Sequence, residues 1–114
     1  MFSQGNRIRK TREFERVFAS RLSVPGRFLR VAYVKNNLLS TRCGIVISTK
    51  VSKKAIVRNK LRRRIRTIIT KTLSQLLPPM DIVIICGALA VKADYKEIES
   101  DLIHVLNKIF KINI

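Results

Sequence analysis

Residues 53–66 read KKAIVRNKLRRRIR, eight basic side chains in fourteen positions with apolar residues at helical spacing. At about 100° per residue, Val57, Leu61, Ile65, Ile68, Ile69 and Leu76 fall in one stripe. Asn59, Lys60, Arg62, Arg63, Arg64 and Arg66 take the rest of the circumference. Two-residue alternation fails, because Leu61, Arg63 and Ile65 would share a strand face. The stretch predicts a helix with an apolar underside and a cationic top, ended by Pro78-Pro79.

Reading outward, Cys43–Ser48 (CGIVIS) and Asp81–Cys86 (DIVIIC) predict strands on either side of that helix. Phe28–Val34 alternates, with Leu29, Val31 and Tyr33 on one face and Arg30 on the other. Val24-Pro25-Gly26 reads as a turn. Thr11–Phe18 predicts a short helix with Thr11 as cap and Phe14, Val17 and Phe18 on one face. Asp94 and Glu97 have capping-box spacing for a last helix that buries Ile98, Leu102, Val105, Leu106 and Ile109. The order helix-strand-strand-helix-strand-helix predicts an α+β fold, a two-layer sandwich of helices on a small sheet, with residues 1–114 as a single domain.

Charge is distributed unevenly. The chain carries 24 Lys plus Arg against 7 Asp plus Glu, a formal charge of +17. No acid interrupts residues 16–80, whereas the last third is close to neutral. Self-repulsion on that scale calls for a polyanionic partner, and hydrophobic content of 46% argues against disorder, which goes with low hydrophobicity and high net charge together. Cys43 and Cys86 have neither zinc nor redox spacing and read as buried, reduced thiols. The first residues, MFSQGNRIRKTREF, lack the apolar stretch of a signal peptide, and no apolar run approaches bilayer length. A cytoplasmic protein with no membrane contact is expected.

Groups for hydrolysis are scarce. His104 is the one histidine, in the near-neutral last helix, and reads as surface or half-buried filler. Neither catalytic nor metal-ligating residues are expected in the protein, and no small-molecule substrate. Arg outnumbers Lys five to one between Arg58 and Arg66, which favours bidentate phosphate contacts and guanidinium stacking. Asn59 among those cations could bond a base edge or a 2′-hydroxyl. Phe14 and Phe18 allow two uses: core packing needs both rings covered, while stacking on unpaired bases needs at least one at a groove wall.

Arg58-Asn59-Lys60 followed by Leu61-Arg62-Arg63 resembles the RNR signature of the bacterial ribonuclease P protein subunit. Arg9-Lys10 ahead of Glu13-Phe14 and Val17-Phe18 is similar to that family's first helix. GIVISTK (44–50) and DIVIIC resemble the strands that flank its basic helix. The resemblance implies a left-handed βαβ crossover, against the usual hand. It implies an RNA-binding subunit that joins a catalytic RNA, which uses Mg2+ to remove the 5′ leader from precursor tRNA. Arg58, Asn59, Lys60, Arg62, Arg63 and Arg66 would then contact the catalytic RNA. Phe14, Phe18, Tyr33 and Lys50 would line a cleft for the single-stranded leader, with further RNA contacts from Arg7, Arg9 and Arg12. Lys60 departs from the family's usual arginine, turning a fork into a point charge. Gly87 stands where a basic residue is common. The alternatives are a ribosomal or ribosome-assembly protein that binds rRNA, a major-groove DNA module, and an independent metal nuclease. Six cations spread over more than half of the helix suit a phosphate-lined RNA surface better than a DNA groove. The shortage of His and clustered acids argues against the nuclease.

Overall fold

The apolar runs at Cys43 and Asp81 become neighbouring parallel strands, and the basic helix is the connection between them. The computed structural model describes residues 4–110. In chain order the elements are α1 (Thr11–Ala19), β1 (Ser23–Pro25), β2 (Leu29–Lys35), β3 (Arg42–Val46), α2 (Ala55–Thr72), β4 (Met80–Cys86) and α3 (Tyr95–Phe110). The sheet order is β1-β2-β4-β3, antiparallel except for the β3–β4 pair.

The two-residue period of each strand divides the sheet into two unlike faces. Val31, Cys43, Ile82 and Ile84 join the main core with Leu61, Ile65, Ile68 and Ile69 of α2 and Ile98, Leu102, Val105 and Leu106 of α3. On the opposite face Ala32 and Val83 meet Val17 of α1 and Ile8 in a smaller cluster. A two-layer sandwich therefore carries one further helix across its back. β4, paired on both edges, is buried at every position except Ile85, which accounts for the unbroken apolar run.

Several local expectations change. Residues Ser23–Pro25 are an edge strand, where proline is tolerated, and the turn starts one residue later with the Gly26 N–H donating to the Leu29 carbonyl (2.7 Å). Asp101 of α3 pins this hairpin by accepting the N–H groups of Arg27 and Phe28, both at 2.8 Å. Thr11 is the first helical residue of α1 and makes no cap. Glu13 instead accepts the N–H groups of Arg9 (3.1 Å) and Lys10 (2.9 Å). The α-helical part of α2 stops at Thr72, short of Pro78, and a 3₁₀ turn (Leu73–Gln75) carries the chain to buried Leu76. The hydroxyls of Thr67, Thr70 and Thr72 donate back to the carbonyls of Arg63, Arg66 and Ile68, a pattern that weakens a helix towards its end. In α3, Phe110 replaces Ile109 as the last buried residue. The expected capping box is complete: Glu97 N–H donates to Asp94 Oδ1 (2.8 Å) and Asp94 N–H to Glu97 Oε1 (3.1 Å). Both cysteines are free and buried, and burial pushes the Cys86 thiol up to about 11 and Cys43 further.

Candidate nucleic-acid interface

Burying one stripe of α2 leaves its cations on the remaining circumference. Asn59, Lys60 and Arg63 are exposed, while Arg58, Arg62, Arg64 and Arg66 are half-buried. Two of these carry structural bonds. Arg58 Nη1 donates to the Ser52 carbonyl (2.8 Å), closing the turn that enters the helix, and Arg64 Nη1 donates to the Ala93 carbonyl (3.2 Å). Arg64, which lies outside the set that the resemblance implies, thus has a packing reason to be there. No carboxylate lies within α2, and among the described residues only Lys71 in its last turn makes an ion pair, with Glu99 of α3 (3.6 Å), so the field of the cations from Arg58 to Arg66 is uncompensated. Lys50 is exposed in the turn after β3, closed by the Val51 N–H and the Ser48 carbonyl (3.0 Å).

A second surface lies behind the sheet, where α1 crosses it. Only Val17 of α1 is buried, so apolar contact alone holds this helix weakly. A polar network adds to it. Asp81, fully buried, accepts Arg42 Nε (2.9 Å) and Nη2 (2.6 Å), Arg16 Nη1 (3.1 Å) and Asn36 Nδ2 (2.8 Å). Arg42 Nη1 also reaches Glu13 Oε2 at 2.6 Å, and Arg16 Nη2 donates to the Lys35 carbonyl at 2.6 Å. Two of the chain's scarce acids are thereby committed to seating α1, which no motif in the sequence announced. The Glu13 carboxyl is held down to about 2 by the Lys10 and Arg9 N–H groups and then by Arg42. With a folded value below the ordinary 4.5, Glu13 contributes stability that is fully present above pH 4.5 and lost as pH falls towards 2. In urea unfolding series, the stability gap between the wild type and Glu13→Gln is expected to narrow through that window.

The network sets α1 beside an uncovered part of the sheet. Phe14 is half-buried against Gly44, where an added Cβ would come within 2.6 Å of its ring. Glycine in β3 is what lets the ring approach so closely. Phe18, one turn on, keeps 45% of its surface exposed. Val46 and Ile85, on the same sheet face and only half-buried, extend an apolar floor. Neither ring meets the full covering that core use requires. Tyr33 does not belong to this groove. It alternates with Ala32 and Val34, faces the α2–α3 core and packs there, so its sheet face excludes it from the set formed with Phe14 and Phe18. Arg9 and Arg12 are exposed, whereas Arg7 is half-buried beside β3.

Among the described residues, no three His, Cys, Asp or Glu side chains gather to hold a metal ion, and no helix is long and apolar enough to cross a membrane. His104 lies exposed on α3, on the side of the sheet opposite the aromatic groove.

Comparison with known proteins agrees with this geometry. The family model described as Ribonuclease P matches residues 2–110. A ribonuclease P protein component from Pseudanabaena sp. is 37% identical over 109 residues, covering 95% of this chain and 94% of the relative. One from Coxiella burnetii is 38% identical over 109 residues, covering 96% and 86%. Among solved structures, a Staphylococcus aureus RNase P protein mutant with defective mRNA degradation activity superposes with a TM-score of 0.87 at 32% identity, covering 96% of this chain and 92% of that one. The RNase P protein from Thermotoga maritima gives 0.81 at 28% identity, covering 90% and 96%. A mixed fold with a parallel pair bridged by an arginine-rich helix, matched along nearly its whole length, places this chain in the ribonuclease P protein component family.

Proposed function

We propose that this chain binds a catalytic RNA and the 5′ leader of precursor tRNA together, and so promotes removal of the leader by that RNA in tRNA maturation. The observation that carries this reading is the separation of two unlike surfaces by one sheet. α2 offers unpaired cations on one side, and α1 with the bare sheet offers half-exposed aromatic rings on the other. A dense arginine face suits the fixed phosphates of a folded RNA. An apolar groove walled by aromatic rings suits unstacked bases of a single strand, which stack without regard to sequence. Lys50, Arg9 and Arg12 are exposed and add charge for the strand's phosphates.

The chemistry is assigned to the RNA, with Mg2+ supplying charge neutralisation at the scissile phosphate. The protein's residues bind and orient. Cations of α2 offset repulsion between the two RNAs, and Phe14 and Phe18 fix the leader relative to the cleavage point. The deciding experiment is cleavage of a leader-bearing precursor by the cognate catalytic RNA at low magnesium. Added protein is expected to raise the rate, and an unchanged rate would sink the proposal. Preferential association with ribosomal subunits, without preference for leader-bearing over mature tRNA, would instead support the rRNA-assembly alternative.

Phe18 gives a sharper test of the groove. A stacked aromatic contributes about 1–3 kcal/mol per base, and a ring already half in water belongs at the low end. Phe18→Ala is expected to weaken binding of leader-bearing precursor by roughly tenfold. Affinity for mature tRNA, measured in the same reconstituted particle, should stay unchanged.

A further inference from the structure

The register of the sheet fixes which residues α1 leaves uncovered. Pro25, Arg30, Ile85 and Val46 stand side by side on the four strands, and the next row is Ser23, Ala32, Val83 and Gly44. Both rows face α1, because Ala32 and Val83 join the cluster around Val17 and residues two apart share a face. α1 lies over the second row, with Val17 on Ala32 and Val83 and with Phe14 on Gly44. Glu13 and Arg16 reach away from the first row to Arg42 and Asp81. The helical period then puts Phe14 and Phe18 on the opposite flank of α1, beside the first row. The floor of the groove is therefore one line of side chains across the sheet, apolar at Val46 and Ile85 and cationic at Arg30.

Arg30 is exposed, and among the described residues no carboxylate pairs with it. Its Nη1 donates to Ser23 Oγ (2.7 Å), which anchors the guanidinium on the β1 side. A hollow of about 370 Å³ opens at this end of the floor, with Pro25, Arg30, Ile85, Gly87 and Leu89 in its lining. Leu89, 66% exposed, gives it an apolar wall. Arg27, which also lines the hollow, is held over the Phe28 ring (4.9 Å to the centroid). Gly87 brings no charge to the end of β4. Arg30 is thus the cation that the hollow offers to a ligand.

We propose that Arg30 is a specificity-determining residue that reads a guanine of the single-stranded leader in this hollow. The inference rests on the reading of the groove as the leader's site and adds base selection to it. Bases that stack on Phe14 and Phe18 turn towards the floor, which leaves the phosphates to solvent and to exposed Lys50, Arg9 and Arg12. A cation in the floor then meets a base and not a phosphate. Arg30 lies two strands from Val46, about 10 Å at about 4.8 Å per strand, so its base belongs to a different nucleotide from the one beside Phe14. Guanine presents O6 and N7 as adjacent acceptors that match a guanidinium fork, and Ser23 leaves Nε and Nη2 of Arg30 free to make it. Adenine sets a donor beside N7, and the pyrimidines lack the acceptor pair.

The test scans leader-bearing precursors in the reconstituted particle, with each of the four bases at each leader position in turn. At one position guanine is expected to bind about fivefold or more tighter than adenine, the low end for one bidentate arginine–guanine pair. In the unaltered protein, 7-deazaguanine at that position, which lacks the N7 acceptor, should bind like adenine. Arg30→Ala should be indifferent to the base, and Arg30→Gln should turn the preference to adenine, whose N6 and N7 suit an amide. A guanine preference that survives in Arg30→Ala, or 7-deazaguanine that binds as well as guanine, overturns the assignment. Equal weakening of all leaders in Arg30→Ala, with the log–log salt slope lowered by about one, would mean a phosphate contact and overturns it too. A wild-type particle that favours leader-bearing over mature tRNA but ignores every leader base refutes the role of Arg30 alone. No gain in cleavage at low magnesium refutes the parent reading, whatever Arg30 does.

Discussion

Asp81→Ala is expected to destabilise the fold by about 3–5 kcal/mol, the usual cost of stripping one partner from a buried charge network. Asp81 is wholly inaccessible and accepts four hydrogen bonds from Arg42, Arg16 and Asn36. Its removal leaves Arg42, itself four-fifths buried, with Glu13 as its single remaining carboxylate. At about 4 °C per kcal/mol for a domain of this size, the thermal midpoint should fall by roughly 12–20 °C. The functional consequence is selective. α1 has one buried apolar residue and depends on this network for its seat, whereas α2 is held by Leu61, Ile65, Ile68 and Ile69. Below its lowered midpoint the variant should therefore lose discrimination for leader-bearing precursor before it loses affinity for the catalytic RNA. Thermal melts and the precursor-to-mature tRNA affinity ratio check the two halves of this expectation. A drop in catalytic-RNA affinity matching the drop in that ratio would mean that the network supports the whole domain and not α1 in particular.

What the sequence made legible follows from how local each signal is. The stripe from Leu61 to Ile69, the capping pair Asp94–Glu97 and the run at Ile82–Cys86 each carry their reason within a few residues, and each forms as the pattern predicts. β1 escaped because a three-residue edge strand containing Pro25 has no period to read, and it exists only through its pairing with β2. The Asp81 network escaped because its partners lie 39 to 65 positions away, and Glu13 reads equally well as a helix-dipole charge. At the candidate site, the cationic positions on α2 follow directly from the helical period. The groove required knowing which sheet face α1 would cover, a decision made by Val17, Ala32 and Val83 meeting in space. Alternation placed Tyr33 with Leu29 and Val31, and once those two are core, Tyr33 goes with them away from Phe14.

The double variant Lys60→Gln, Arg63→Gln should have the opposite signature to Asp81→Ala, with stability nearly intact and RNA affinity strongly reduced. Both side chains are exposed, and among the described residues neither makes a side-chain hydrogen bond or ion pair, so unfolding should change by no more than about 0.5 kcal/mol. If each cation neutralises one phosphate, losing two flattens the log–log salt dependence of catalytic-RNA binding by about 1.4–1.8. Binding at 0.1 M salt is then roughly 25- to 60-fold weaker than wild type, a deficit that closes as salt approaches 1 M. Arg58 is the wrong residue for this purpose, because its bond to the Ser52 carbonyl shapes the entry to α2 and its loss confounds folding with binding. The same preparation also tests whether the sheet separates the two surfaces. Lys60 and Arg63 lie on a helix packed against one face, and Phe14 and Phe18 on a helix crossing the other. Once the particle is assembled at saturating protein, its preference for leader-bearing over mature tRNA should match wild type. A preference that collapses along with the affinity would instead place both RNAs on one continuous surface.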